Sequence, residues 1–202
     1  MPRPLPTRDR TTRRLVLHPF RRRDAEPLVR AVHDSLDDLT RWLPWAHRGY
    51  GRGDAIRFIR DSGAAWTEGR AFDFAIRSPE QPKAHLGNVS VWHTSRREQA
   101  GEIGYWVRTD LSGEGIGTEV TARALQIGFE ELEYHKIILR IAAGNERSDK
   151  IAKRLGFNYD GMLRHEVRVG DEWLDHSVWS VLETEWPGIK SQLLSDGVLV
   201  EK

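Results

Sequence analysis

The stretch Leu111-Ser-Gly-Glu-Gly-Ile-Gly-Thr-Glu119 constrains this chain more than any other. It follows an apolar run that reads as a strand, Ile103 to Val107. It opens an amphipathic segment that reads as a helix from Gly117 to about Glu133. Gly113, Gly115 and Gly117 let the backbone approach a ligand without interference from Cβ. A glycine turn feeding a helix N-terminus leaves backbone N–H groups pointing outward, with the positive end of the helix dipole behind them. That arrangement suits an anion, most naturally a phosphate. Two familiar phosphate loops fail on spacing. A Walker A loop ends in Gly-Lys-Ser/Thr, whereas Gly117 is followed directly by Thr118. A dinucleotide fingerprint reads Gly-x-Gly-x-x-Gly, whereas this loop reads Gly-x-Gly-x-Gly. Taken alone, the loop fits a helix-capping turn equally well.

Length and charge narrow the classes. The 202 residues suffice for one domain with a real core. Lys and Arg number 31 against 30 Asp and Glu, a net charge of +1 that gives no support to a nucleic-acid partner. There is no cysteine, hence no disulfide, thiol nucleophile or zinc thiolate site. No pair among the eight histidines has ligand spacing with a carboxylate partner, so no metal is expected. No run of about 18 apolar residues occurs, and Met-Pro-Arg-Pro-Leu-Pro is no signal-peptide core. The expectation is a soluble, cytoplasmic protein without a membrane partner.

Residues 1–13, rich in proline and arginine, are expected to form a flexible arm. Residues 14–186 are expected to form one domain, and 187–202 a tail packed on it. Strands are read at Leu15–Leu17, Ala71–Ile76, His85–Thr94, Ala100–Val107, Lys136–Ala143, Tyr159–Val169 and Trp173–Leu182. Helices are read after Asp24 and Asp54, each taken as an N-cap, after the glycine loop, and from Asn145 to Leu155. Residues 35–53 read as irregular. The order predicts an α+β fold, a mixed, mostly antiparallel twisted sheet of about seven strands with helices on both faces.

Three segments in order carry a resemblance: Gly101-Glu-Ile-Gly-Tyr-Trp-Val107, Gly113-Glu-Gly-Ile-Gly-Thr-Glu119, and Asn145-Glu-Arg-Ser148 running to Arg154-Leu-Gly-Phe157. The chain resembles the GNAT superfamily of N-acetyltransferases over about residues 13–186. Arg41-Trp-Leu-Pro-Trp45 and Trp173-Leu-Asp-His176 resemble the branch that acetylates the N-terminal alanine or serine of ribosomal proteins, whose members often form homodimers.

The resemblance implies acetyl-CoA as the phosphate ligand. Its pyrophosphate would sit on backbone N–H groups of Gly113, Gly115, Ile116, Gly117 and Thr118, with Ser112 at the loop's start. The pantetheine arm would pair with the end of the strand at Tyr105, Trp106 and Val107, where that strand splays from Ile137–Ala143. Asn145 would hold a pantetheine carbonyl or a water, or cap the following helix. Arg154 would meet a CoA phosphate or stand as a surface charge.

Amine attack on a thioester needs a deprotonated amine, oxyanion stabilisation and protonation of the leaving thiolate. The resemblance assigns Glu102 as general base through water, or else as a structural carboxylate, and the Val107 N–H as oxyanion donor. Ser148 is the hydroxyl best placed for the sulfur. Two departures stand out. Ser112 occupies a position where many relatives have Arg or Gln, and Ala152 one where many have a tyrosine acid.

The acceptor site is expected from residues 34–53 and the last strands, with Trp42 and Trp45 as walls and Glu102 and His176 facing the amine. Asp34, Asp37 and Asp38 are read as a solvated helix end, and His165 and Glu166 have no fixed direction. The acceptor reading is a protein N-terminus. The alternatives are a small amine (polyamine, aminoglycoside or amino acid), another acyl donor such as succinyl-CoA, and a non-catalytic acyl-CoA-binding module.

Overall fold

A computed structural model describes residues 5–201. The strands are β1 (Arg10–Thr11), β2 (Val16–Pro19), β3 (Ala71–Arg77), β4 (Gly87–Ser95), β5 (Ala100–Val107), β6 (Lys136–Ala142), β7 (Asn158–Val169) and β8 (Glu172–Leu182). The helices are α1 (Ala25–His33), α2 (Leu36–Trp42), α3 (Arg52–Thr67), α4 (Ile116–Gln126), α5 (Glu146–Arg154) and α6 (Trp186–Ser195). One sheet runs in the order β1-β2-β3-β4-β5-β6-β8-β7. Its neighbours are antiparallel except β5 and β6, which run parallel on either side of α4. The mostly antiparallel sheet is as expected, with one strand more. Among the described residues no helix is long and apolar enough to cross a membrane.

Alternation along the strands sorts side chains into two cores. Phe72, Phe74, Ile76, Val89, Val91, Ile103, Ile137, Leu139 and Ile141 share one face and pack against Val120, Leu125 and Leu193 of α4 and α6. Asn88, Ser90 and Trp92 of β4 and Glu102, Gly104 and Trp106 of β5 occupy the other face, where Ser90 lies opposite Gly104 and Trp92 opposite Glu102. A second cluster covers part of this face, with Leu28 and Val32 of α1, Leu39 of α2 and Ala55 and Ile59 of α3 around Trp106.

Several expectations need revision. The irregular stretch 35–53 contains α2. Asp54 is not the residue before its helix but stands inside the first turn, reaching back to accept the Gly51 N–H at 2.9 Å. Asp24 does stand immediately before α1, as expected, but its side chain makes no bond to that helix: one oxygen accepts the Arg21 N–H at 2.7 Å and the other accepts from buried Arg77 at 3.0 Å. The helix expected to reach Glu133 is α-helical only to Gln126 and continues as a π turn over Ile127–Glu131.

The N-terminal segment departs most from expectation. Residues 1–4 of the expected arm lie outside the described residues. From Leu5 onward the segment packs on the domain: Leu5 is buried and its carbonyl accepts from the Trp66 indole at 2.9 Å. Arg10 is 1% exposed, donates to the Pro6 and Arg8 carbonyls, and pairs with Glu131 at 2.7 Å. Every residue of α4 is buried as well. A helix covered all round needs partners for its charged side chains, and this segment supplies them for Glu119 of α4 and for Glu131 in the turn that follows. Arg10 meets Glu131, and Thr12 and Arg14 meet Glu119.

Removing one partner of a buried pair strands the other. Arg10→Ala leaves Glu131 only Arg123, at 3.6 Å, and frees two carbonyls. It is expected to lower unfolding free energy by about 2–3 kcal/mol, below the fully buried range because Glu131 is partly exposed. Urea denaturation measures the change.

Candidate functional site

The site begins where two central strands part. β5 and β6 pair only at Ala100–Glu102 with Lys136–Ile138, and beyond that they diverge. On the far side of β5 the Arg108 N–H donates to the Leu86 carbonyl at 2.9 Å. Alternation in the antiparallel ladder then turns the Tyr105 and Val107 N–H groups away from β4, toward the opening.

The glycine loop lies at the end of that opening. Gly113 and Gly115 have φ of +91° and +80°, a left-handed backbone that side chains disfavour. Gly115 caps α4, with nothing within 4 Å of where a Cβ on Gly113 would stand. Gly117 packs closely on Tyr105 and Ile151, where a Cβ would lie 2.9 Å from the Ile151 side chain. Ser112 is exposed, whereas Ile116 and Thr118 are buried. Arg14 brings a positive charge beside the loop: its Nε donates to Glu119 at 2.8 Å and a terminal nitrogen to the Glu114 carbonyl at 3.1 Å.

Glu102 lies at the fork, 4% exposed. Arg140 of β6 grips it with two bonds, 3.0 Å to Oε1 and 2.8 Å to Oε2, and reaches Glu166 of β7 at 2.7 Å. Burial pushes the Glu102 carboxyl above the usual range by more than Arg140 pulls it back. His176 sits on the same face, buried, with its pKa lowered by burial and by nearby Arg140.

Across the opening, the Asn145 side chain accepts the Ser148 N–H at 3.3 Å and caps α5. The Tyr105 hydroxyl is buried without a hydrogen-bond partner of good geometry; Ser148 is beside it. Burial pushes that phenol up to about 12. Arg154 is exposed in the last turn of α5, one turn past Ile151. Arg147 pairs with Asp38 at 3.0 Å, so this aspartate bridges α2 to α5.

Next to Glu102 a cleft of about 570 Å³ opens between the sheet and α1 to α3. Ser90, Gly104 and Trp106 line its sheet side, and Trp45, Tyr50, Phe58 and Trp92 its walls. A Cβ on Gly104 would stand 2.9 Å from the Trp92 ring, so only glycine there permits that ring's position. Trp45 is therefore brought to the site. Trp42 does not line the cleft and lies instead near Gly144 at the β6–α5 turn. Among the described residues no group of His, Cys, Asp or Glu is arranged to hold a metal.

Arg140 and Trp92 were missed as site residues in the sequence reading, and Arg140 left a signal. It is the one charge inside the apolar run Ile137–Ala143, and a charge in a central strand needs a partner. Trp92 and Ser90 left none, because strand alternation does not say which face is open, and Tyr50 left none because it lies in the irregular stretch before α3.

The family model described as an acetyltransferase (GNAT) domain matches residues 14–158. The putative ribosomal N-acetyltransferase YdaF of Bacillus subtilis (strain 168) is 33% identical over 104 residues, 52% of this chain and 57% of that protein. The [ribosomal protein uS5]-alanine N-acetyltransferase of Escherichia coli (strain K12) is 25% identical over 123 residues, 60% of this chain and 63% of its own length. The chain thus aligns to less than two thirds of either relative. In fold it is similar to Mycobacterium smegmatis RimJ in complex with CoA-disulfide, with a TM-score of 0.81 at 24% identity, covering 91% of this chain and 89% of that one.

The floor of the cleft carries a pH dependence. His85 donates from Nε2 to Asn88 Oδ1 at 2.6 Å and its ring lies against Trp106. Burial lowers its pKa from 6.5 to about 3. The folded protein keeps His85 neutral while the unfolded chain protonates it, so stability falls as pH drops below 6.5 toward about 3. Between pH 7 and pH 5 this histidine alone is expected to cost about 2 kcal/mol. Urea unfolding at both pH values reads the loss, and His85→Gln should remove about that much of it.

Proposed function

The chain belongs to the GNAT acetyltransferase family, and from that premise we propose that it transfers an acetyl group from acetyl-CoA to a primary amine, in the first instance a protein N-terminal α-amine. The observation that carries this reading is the fork itself. A carboxylate, two outward backbone N–H groups and a helix N-terminus meet along one opening. The residues present suit acetyl-CoA. The Gly113–Thr118 backbone and the N-terminus of α4 offer donors for phosphates, and the free edge of Tyr105–Val107 offers a strand to an amide-bearing arm. Acetyl-CoA supplies an activated acyl carbon.

The protein's part is to orient the amine, take its proton and stabilise charge. Glu102 accepts the proton of the acceptor ammonium through water, since Arg140 occupies both its oxygens. A desolvated carboxyl with a raised pKa is a better base near neutrality than a solvated one. The Val107 N–H donates to the developing oxyanion. The nitrogen bonds the acyl carbon, the carbon–sulfur bond breaks, and the thiolate takes a proton. A thiolate is a tolerable leaving group, and the hydroxyls of Ser148 and Tyr105 flank its expected place.

Release of free thiol from acetyl-CoA, with amine acceptors against a no-acceptor blank, tests the reading; no release with any amine, while CoA binds, contradicts it. Glu102→Gln is expected to lower kcat by 10²-fold or more with little change in acetyl-CoA affinity, roughly the scale of losing a general base. Unchanged turnover would remove Glu102 from the mechanism. Gly115→Val forces a branched side chain into a left-handed backbone at the loop. It should weaken CoA binding at least tenfold by calorimetry, and normal affinity would contradict the loop assignment.

A further inference from the structure

The cleft beside the fork bears on which amine is accepted. It lies on the sheet face that carries Glu102, between β4, β5 and the first three helices, and borders the opening at Tyr105 and Trp106. Trp92, one of its walls, stands directly across the ladder from Glu102. Gly104, on its floor, is two residues along the same strand, about 7 Å away at strand spacing. A group held on this floor is therefore about two strand residues from the carboxylate.

Its lining is aromatic. Trp45 packs at 6.0 Å from Trp106 and 5.8 Å from Tyr50, ring centroid to centroid, at interplanar angles of 54° and 59°. Such tilted rings present both faces and edges to an occupant. Trp45 itself is 40% exposed, an apolar side chain left open at the mouth. The floor needs Gly104, since any side chain there meets Trp92. A cavity of about 570 Å³ is of small-molecule size, and a methyl or hydroxymethyl group would leave most of it empty.

The charges at the rim do not favour a polycation. Asp54 is committed to the Gly51 N–H and lies 3.9 Å from His47 and 3.6 Å from Arg57. Asp61 is paired with Arg60 at 2.9 Å. Glu102 is gripped by Arg140. Each carboxylate thus has a basic neighbour already. The cleft rewards apolar area, at roughly 25 cal/mol per Å² buried, over added positive charge.

Resting on the acetyltransferase reading above, we propose that this cleft is the acceptor's selectivity pocket and that it selects a primary amine carried next to a bulky apolar or aromatic group. Two sources share that chemistry. One is a peptide whose first residue is Phe, Leu or Met; the other is a small arylalkylamine.

The test compares acetylation of Phe-, Leu- and Met-initiated peptides and phenethylamine with Ala- and Ser-initiated peptides and spermidine. The bulky class is expected to exceed the others at least tenfold in kcat/KM, and its better arm identifies the source. An equal or better kcat/KM for Ala or Ser peptides, or for spermidine, would overturn the pocket assignment and leave the acetyltransferase reading standing. Trp45→Ala should reduce the preference for the bulky class at least fivefold, with Trp45→Phe restoring most of it. The urea unfolding midpoint is measured alongside, and an unchanged midpoint assigns the lost preference to the pocket rather than to the fold. Should no amine be acetylated while CoA binds, the acetyltransferase reading fails. The pocket is then decided by calorimetry with phenethylamine and the Phe-initiated peptide: binding weakened tenfold by Trp45→Ala keeps it, and no binding overturns it.

Discussion

Pairing between β5 and β6 ends at Glu102 and Ile138, and the site depends on that ending. A sheet is continuous where its strands exchange backbone hydrogen bonds, and a parallel pair that diverges in mid-sheet leaves polar groups without strand partners. Here the break is bridged at its start by side chains. Arg140 on β6 holds Glu102 on β5 with two hydrogen bonds and continues to Glu166 on β7. The same three residues thus define where the opening begins and put charge beside it. Beyond them the unpaired backbone of Tyr105 and Val107 faces the opening, with Asn145 and Ser148 across it.

The two faces of the sheet divide the work. One face, packed on α4 and α6, is apolar and continuous and gives the opening a rigid bed. The other is incomplete, because α1, α2 and α3 cover Trp106 but leave Ser90, Gly104 and Trp92 at a cleft. The glycine loop leads into α4 on the first face, and the cleft lies on the second.

Much of this was legible in the sequence, for definite reasons. Glycines at Gly113 and Gly115 report a left-handed backbone, and the residue patterns of Ala71–Ile76 and Ala100–Val107 report strands. Both signals are local. What escaped was set by distant partners. Residues 5–13 read as loose because proline and arginine resemble a solvated arm, yet Arg10 finds Glu131 far along the chain. Asp38 read as solvated, and it meets Arg147 instead. Trp42 and Trp45 were indistinguishable by spacing, and only the fold separates the one at Gly144 from the one at the cleft.

The tie between Arg14 and Glu119 spans 105 residues and closes at the first turn of α4. Closing so long a stretch carries an entropic cost that grows with the logarithm of its length, and non-local contacts of this kind slow folding. The glycine loop therefore does not set with its own helix alone: its surroundings are completed when Arg14 docks on a helix made from the middle of the chain, so an ordered loop reports that the two have already met.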